Sequence, residues 1–364
     1  MEWNVSRTAY CMVLIAVFSG CAKTVKQPTE IDNPGKHYTA GMEKLDGGDL
    51  DAAEKEFTRS MELDKRSPYG HTGMAFLELR RGNYRKALKH AGDALKNDAA
   101  FSDAHAAWGY ALAVRRRRGW FGAAESSLMK AVELNPENQR ALYYLGECRL
   151  ISGRYGDALK AYDRAKGFDG PFSKKAAGRF GLVEKIIAAA PLSVEAGDIV
   201  LKDTIDRADL CVLLSLELEA FERLRPVQAG ISRAKPPSDV NGNHWKRWIL
   251  DVARLSIAGL SVFPNGCFYP DRPLTRAQCA EICQDIIVRV SGDGSLVTRY
   301  LGGESPYPDV RPDYYAFNAI RLCVEKGILG VREGSNSFDY GGTISGIEAV
   351  TMLKSLDRVL ESYR

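Results

Sequence analysis

The chain has no apolar run long enough to cross a bilayer. Its one strongly apolar stretch, Ala9 to Phe18, holds ten residues where a spanning helix needs roughly 20. Concentrated charge is missing too. Fifty Lys and Arg against 46 Asp and Glu leave a formal +4 on 364 residues, and so diffuse a charge gives phosphate backbones nothing to hold, so no nucleic-acid partner is expected. The sequence contains no H-E-x-x-H, G-x-S-x-G, P-loop or G-x-G-x-x-G segment, so no catalytic residue and no enzymatic activity are expected. Eight cysteines form no C-x-x-C or zinc-type spacing, and no metal or cofactor is expected. His37, His71 and His105 stand 34 residues apart, but equivalent helices of stacked hairpins lie about 8 to 10 Å apart and a zinc ion needs nitrogens at about 2 Å. They are expected to pack between helices instead.

What is present begins with that ten-residue run, whose length suits the apolar core of a signal peptide. It ends in Phe18-Ser19-Gly20-Cys21, which resembles the bacterial lipoprotein box, with Phe18 in place of the usual aliphatic. The resemblance implies a signal peptide over residues 1–20 and a lipid-bearing Cys21. A polar, aperiodic tether over 21–35 follows. Ala22, in a position where Asp is absent, resembles lipoproteins sent to the outer membrane. Once Cys11 and Cys21 are set aside, Cys148, Cys211, Cys267, Cys279, Cys283 and Cys323 remain. Export permits disulfides, while free Cys also packs as a small hydrophobe. Both possibilities stay open.

From Lys36 a repeat appears. Gly48-Asp49-Leu50, Gly82-Asn83-Tyr84, Gly119-Trp120-Phe121 and Gly153-Arg154-Tyr155 open matching segments at intervals of 34, 37 and 34. Gly41, Ala75, Gly109 and Gly146 are small where two helices would cross, Phe57 and Tyr162 are large, and Ala94, Ala131 and Ala165 are small again. These residues resemble the tetratricopeptide repeat (TPR), which implies four helical hairpins over 36–170 stacked into a solenoid with a concave, protein-binding face. The longer interval brackets Arg115, Arg116, Arg117 and Arg118. Four arginines at a helix end suit its C-terminal dipole and are candidates to grip an acidic partner or an anionic lipid surface.

Beyond Gly170 the period stops and another replaces it. Phe268-Tyr269-Pro270-Asp271-Arg272-Pro273-Leu274-Thr275-Arg276-Ala277 is answered seventy residues later by Phe338 through Glu348, and sixty-nine earlier by Ile205-Asp206-Arg207-Ala208-Asp209. Asp239-Val240 with His244-Trp245 likewise corresponds to Asp309-Val310 with Tyr314-Tyr315. These segments resemble the S-layer homology (SLH) module. The resemblance implies three modules over 171–364, a degenerate one at 171–225 and two fuller ones at 236–290 and 306–361, arranged as a pseudo-threefold α-helical bundle with Arg225 to Pro237 as a hinge. In that family the arginine of the motif helps hold acidic groups of a wall polymer. Arg207 and Arg276 are therefore candidate glycan-binding residues, because a guanidinium fork fits a carboxylate. Gly346 has no such fork. Asp239, Asp309, Trp245 and Tyr315 complete the candidates, with Trp245 either lying against a sugar ring or burying itself under its helix.

The sequence thus predicts a mainly α protein, a TPR solenoid followed by an SLH pseudo-trimer. Its expected role is that of a non-enzymatic, outer-membrane-anchored lipoprotein of the cell envelope. It would bind peptidoglycan or another cell-wall glycan through the bundle and a protein partner through the solenoid. The alternative is an assembly factor for a secretion, pilus or polysaccharide-export machine, with the bundle as a protein-interaction surface. Cys21→Ser is expected to abolish labelling by a palmitate analogue and to leave unprocessed precursor; labelling that persists in the variant would refute acylation at Cys21.

Overall fold

The computed structural model describes residues 32–191, 193–224 and 236–363. The expected signal peptide, Cys21, most of the tether and most of the Arg225 to Pro237 hinge lie outside the described residues. Among the described residues every regular element is a helix, and β pairing is confined to two isolated bridges, Asp206 with Pro273 and Thr275 with Thr343. No helix among them is long and apolar enough to cross a membrane. They fall into two compact units divided between Trp108 and Gly109.

The first unit holds α1 (Pro34–Gly47), α2 (Leu50–Leu63), α3 (Pro68–Arg80) and α4 (Tyr84–Asn97); α5 (Ser102–Arg115) contains the point of division. Asn33 starts α1 by accepting a bond from the N–H of Lys36, and Pro34 sits in its first turn, where a missing donor costs nothing. Gly48 ends the helix at φ 89°, and Gly82, Gly119 and Gly153 adopt the same left-handed conformation at the matching turns. The expected small-against-large pattern is the packing code. Phe57 is fully buried, and a Cβ at Gly41 or Gly73 would stand 2.3 or 2.1 Å from its ring. The ring fills the gap between α1 and α3, which is why neither helix carries a side chain there; truncating such a residue costs about 3–5 kcal/mol.

In the second unit α6 (Trp120–Leu134), α7 (Gln139–Ile151) and α8 (Tyr155–Lys166) continue the hairpins. Tyr162 is buried against Gly146 as Phe57 is against Gly41, and its hydroxyl donates to Glu147 Oε1 at 2.6 Å. The next helix, α9 (Pro171–Ala189), packs on α7 and α8, and Arg179 Nε pairs with the same carboxylate at 2.9 Å. Residues 171–189, expected to open a degenerate module, therefore continue the hairpin stack. They also touch the last helix of the chain. One apolar core consequently runs from Leu142 to Leu360.

The rest of that core belongs to three helix pairs. α10 (Val194–Val200) precedes α11 (Arg207–Glu217), α12 (Lys246–Ala253) precedes α13 (Arg276–Ser291), and α14 (Phe317–Glu325) precedes α15 (Gly346–Glu361). Asp206, Thr275 and Ser345 cap the second helix of each pair, and Asp209, Gln278 and Glu348 close a capping box at every one. The residues just before the caps meet at the centre, all fully buried. Leu274 N donates to Ile205 O at 3.2 Å, Ile344 N to Leu274 O at 3.3 Å, and Ile205 N to Ile344 O at 3.0 Å. The ring closes on itself.

The third junction differs from the others. Gly346 N donates to Lys202 O at 2.9 Å, and a Cβ at Gly346 would stand 1.9 Å from Ile199 O and 2.8 Å from Val200 Cα. Gly346 is thus required where the backbone of α10 comes too near for any side chain. Gly346→Ala should destabilise the bundle by about 2 kcal/mol or more, whereas Gly341→Ala, which meets nothing within 4 Å, should stay within about 0.5 kcal/mol. Thermal unfolding of both variants checks this; equal midpoints would contradict it.

Candidate functional site

Two surfaces have the chemistry to hold a ligand. The first lies in the first unit, where Tyr38, Tyr69 and Phe101 cluster with ring centroids 5.1 to 5.9 Å apart. They border an open cavity of about 680 Å³ together with Asn33, Lys36 and Asp103. Tyr38 donates its hydroxyl to Asp103 Oδ2 at 2.5 Å, which fixes one wall. Aromatic walls with mixed charge suit a peptide segment. Nearby, His37 bridges Glu56 and Asp32 at 2.6 Å each. His71 and His90 face each other with their Nδ1 atoms 3.3 Å apart, and burial lowers the pKa of both. His105 Nε2 contacts Ala99 O at 2.9 Å. His37 and His71 reach the neighbouring helix through Glu56 and His90, whereas His105 contacts the turn before its own helix.

The second surface is the bundle, where the motif residues turn inward. Arg207 is 3% exposed. Its guanidinium donates to three carbonyls of the next module, Phe268 O at 2.9 Å, Ser261 O at 3.0 Å, and Gly259 O, and lies 4.4 Å above the Phe268 ring. Arg276, also 3% exposed, donates to Phe338 O at 2.9 Å and to Gly330 O, pairs with Glu348 at 3.1 Å and covers the Phe338 ring at 4.8 Å. The forks expected to face a glycan face backbone instead. A fork with several fixed donors bridges separate carbonyls in a way an ammonium cannot. Removing it would strand those carbonyls at about 1–3 kcal/mol each.

Asp239 and Asp309 prepare those carbonyls. Asp239 accepts from the N–H groups of Phe268 and Tyr269 at 2.8 and 2.7 Å, and Asp309 from Phe338 and Asp339 at 2.9 and 2.7 Å. Gathering two successive donors onto one carboxylate bends the backbone, and Tyr269 and Asp339 take φ of 57° and 58°. The expectation that these acids shape a groove becomes, in the fold, a clamp that aims a carbonyl at an arginine. Burial pulls both carboxyls upward, but the backbone donors outweigh it and hold each below the usual carboxylate range.

Of the remaining candidates, Trp245 is half-buried, edge-on to His244 and Trp248 with centroids 4.4 and 5.4 Å away. Tyr315 is 65% exposed and leans on Tyr314 at 4.6 Å. Of the expected candidates, these two offer rings to an incoming sugar. Arg116 pairs with Asp198 of α10 at 3.3 Å, while Arg117 and Arg118 are exposed and Arg115 is half-buried.

Sequence comparison of the modules misses several partners. Lys202 holds the buried Asp209 at 2.7 and 2.8 Å, and Arg332 bridges Asp339 at 2.9 Å and Glu348 at 2.6 Å. Val262 and Tyr269 stand seventy residues before Arg332 and Asp339, so the repeat gives no hint of that pair.

The tetratricopeptide repeat family matches residues 114–173, the stretch containing α6, α7 and α8. Over this segment the chain is similar to the tetratricopeptide repeat, and the described residues fold mainly as helices. A thermophilic TPR protein of Thermus thermophilus is 18% identical with a TM-score of 0.35, covering 43% of this chain and 88% of its own. Pseudomonas aeruginosa PilF is 17% identical with a TM-score of 0.34, covering 52% and 84%. An O-GlcNAc transferase variant of Thermobaculum terrenum is 22% identical with a TM-score of 0.31, over 36% of this chain and 26% of that one. No curated protein matches the chain. At such identities the site is read from its own residues.

A depressed carboxyl contributes stability that is complete above the unfolded value of about 3.8 and is lost as pH falls through the folded value. The Asp239→Asn, Asp309→Asn double variant should be less stable than wild type at pH 7 and should show a flatter loss between about pH 5 and pH 2. Urea unfolding across that range measures it; parallel curves would contradict the clamp.

Proposed function

We propose that this chain is a non-enzymatic scaffold of the bacterial cell envelope, acylated at Cys21 and attached to the outer membrane. Its repeats would hold a protein partner while its bundle engages peptidoglycan or a related wall glycan. The observation that carries the proposal is the closed ring. Three stretches that resemble SLH modules meet at equivalent helix starts through Ile205, Leu274 and Ile344, as a pseudo-trimer of such modules requires. The aromatic cavity beside Tyr38, Tyr69 and Phe101 supports a peptide-binding role for the repeats.

Glycan contact is assigned to two rings, the half-buried Trp245 and the exposed Tyr315, since Arg207 and Arg276 are engaged between modules. That same engagement favours a second function, assembly of a secretion, pilus or polysaccharide-export machine through a protein-binding bundle, because it removes the anionic-ligand forks.

Sedimentation with purified, protein-free sacculi tests the first against the second. Wild-type protein should co-sediment, and Trp245→Ala with Tyr315→Ala should weaken binding about tenfold, a difference of about 1.4 kcal/mol. If wild type stays in the supernatant, wall binding is refuted and the assembly role takes its place.

A further inference from the structure

The junction between α13 and the third module differs chemically from its two counterparts. Tyr314 stands between Tyr315 at 4.6 Å and Tyr340 at 4.7 Å, with interplanar angles of 55° and 53°. Tyr315 and Tyr340 are 65% and 37% exposed, so the three rings form an open ledge. The N–H of Ala277 donates to Tyr340 O at 3.2 Å, which fixes the ledge against the first turn of α13. Glu281 follows Ala277 by four residues and so lies one helical turn further along α13.

Glu281 is half-buried and has no hydrogen-bond or ion-pair partner among the described residues. Burial raises its pKa, and its charge is felt at the Tyr314 phenol, whose own pKa is raised by burial first and then by Tyr315, Tyr340 and Glu281. The positions matching Glu281 are Val212 in α11 and Thr351 in α15, and those matching Tyr314 and Tyr315 in the second module are His244 and Trp245. At these matching positions, this junction alone carries a glutamate together with two tyrosines. A half-desolvated carboxylate without a partner is costly, and electron-rich ring faces attract a cation and also stack on the apolar face of a pyranose.

We propose that the Tyr314, Tyr315 and Tyr340 ledge with Glu281 is a subsite for an amino sugar carrying a free, protonated amine. It rests on the glycan-binding role of the bundle and gives that role a sign, since the ligand is cationic rather than acidic. The ammonium sits against the Glu281 carboxylate and the sugar ring against Tyr315 and Tyr340. N-acetylation removes the charge and adds bulk at that contact, so the acetylated sugar is rejected.

The test uses the full chain and two probes of equal length, tetraglucosamine and N-acetylated chitotetraose, followed by calorimetry. Tetraglucosamine should bind at least tenfold more tightly. Glu281→Gln, which breaks no contact of the fold, should erase that preference, and Tyr315→Ala should weaken tetraglucosamine binding several-fold. Equal affinity for both probes, or a preference that survives Glu281→Gln, overturns the subsite. Nα-acetyl-lysine amide serves as a third arm; if it matches glucosamine in affinity, the amine is recognised without its ring and the amino-sugar assignment falls. Sacculi separate this inference from the broader role. Co-sedimentation indifferent to Glu281→Gln and to prior acetylation of wall amines refutes the subsite and leaves wall binding intact. Tetraglucosamine binding without sacculus binding does the reverse.

Discussion

The bundle depends on the closure of three backbone hydrogen bonds among Ile205, Leu274 and Ile344. Each bond is ordinary, worth about 1 kcal/mol net. Their arrangement matters more, because each residue both donates to one module and accepts from the other. Losing one module would leave a donor and an acceptor exposed in an apolar centre, where unsatisfied groups are penalised. The capping boxes at Asp206, Thr275 and Ser345 set the direction in which each helix leaves that centre. The ring, the caps and the burial of the flanking apolar residues therefore reinforce one another.

Around this ring the buried arginines extend closure outward. Asp239 shapes a turn, the turn aims the Phe268 carbonyl, and Arg207 collects it from the neighbouring module; Asp309, Phe338 and Arg276 repeat the sequence. The third step is absent because the Ile199 backbone occupies the space beside Gly346, and the Lys202 pair with Asp209 ties that side together instead. A guanidinium used as an inter-module tie is unavailable to a ligand. Ligand chemistry must then come from groups the fold leaves uncommitted, which shifts attention from charge on the motif to the aromatic rings at the module edges.

The hairpins and the bundle are not beads on a string within the second unit. Tyr162, Glu147 and Arg179 link α7, α8 and α9 through one buried carboxylate, and α9 in turn packs on α15. A repeat stack needs a terminal helix whose outer face is satisfied. Here the bundle covers that face. The continuous apolar core from Leu142 to Leu360 makes mechanical coupling between them a property of packing.

Much of this was legible in the sequence. Periodicity exposed the helical hairpins, because a small residue at Gly41 or Gly146 and a large one at Phe57 or Tyr162 must recur wherever two helices cross at the same distance. The second period located all three helix starts, because a capping box is a local device whose residues lie within four positions of one another. Tertiary structure decided what those residues do. An arginine after a cap reads the same whether it faces solvent or a neighbour's carbonyls, and only the placement of Gly259, Ser261 and Phe268 around Arg207 settles it. Gly346 reads as a lost arginine until α10 is seen against it, and Glu281 reads as one more helix charge until its neighbours among the described residues are seen to leave it unpaired. Local devices are written in adjacent residues; the burial and partners of a side chain are fixed by segments tens of residues away, which no local pattern specifies.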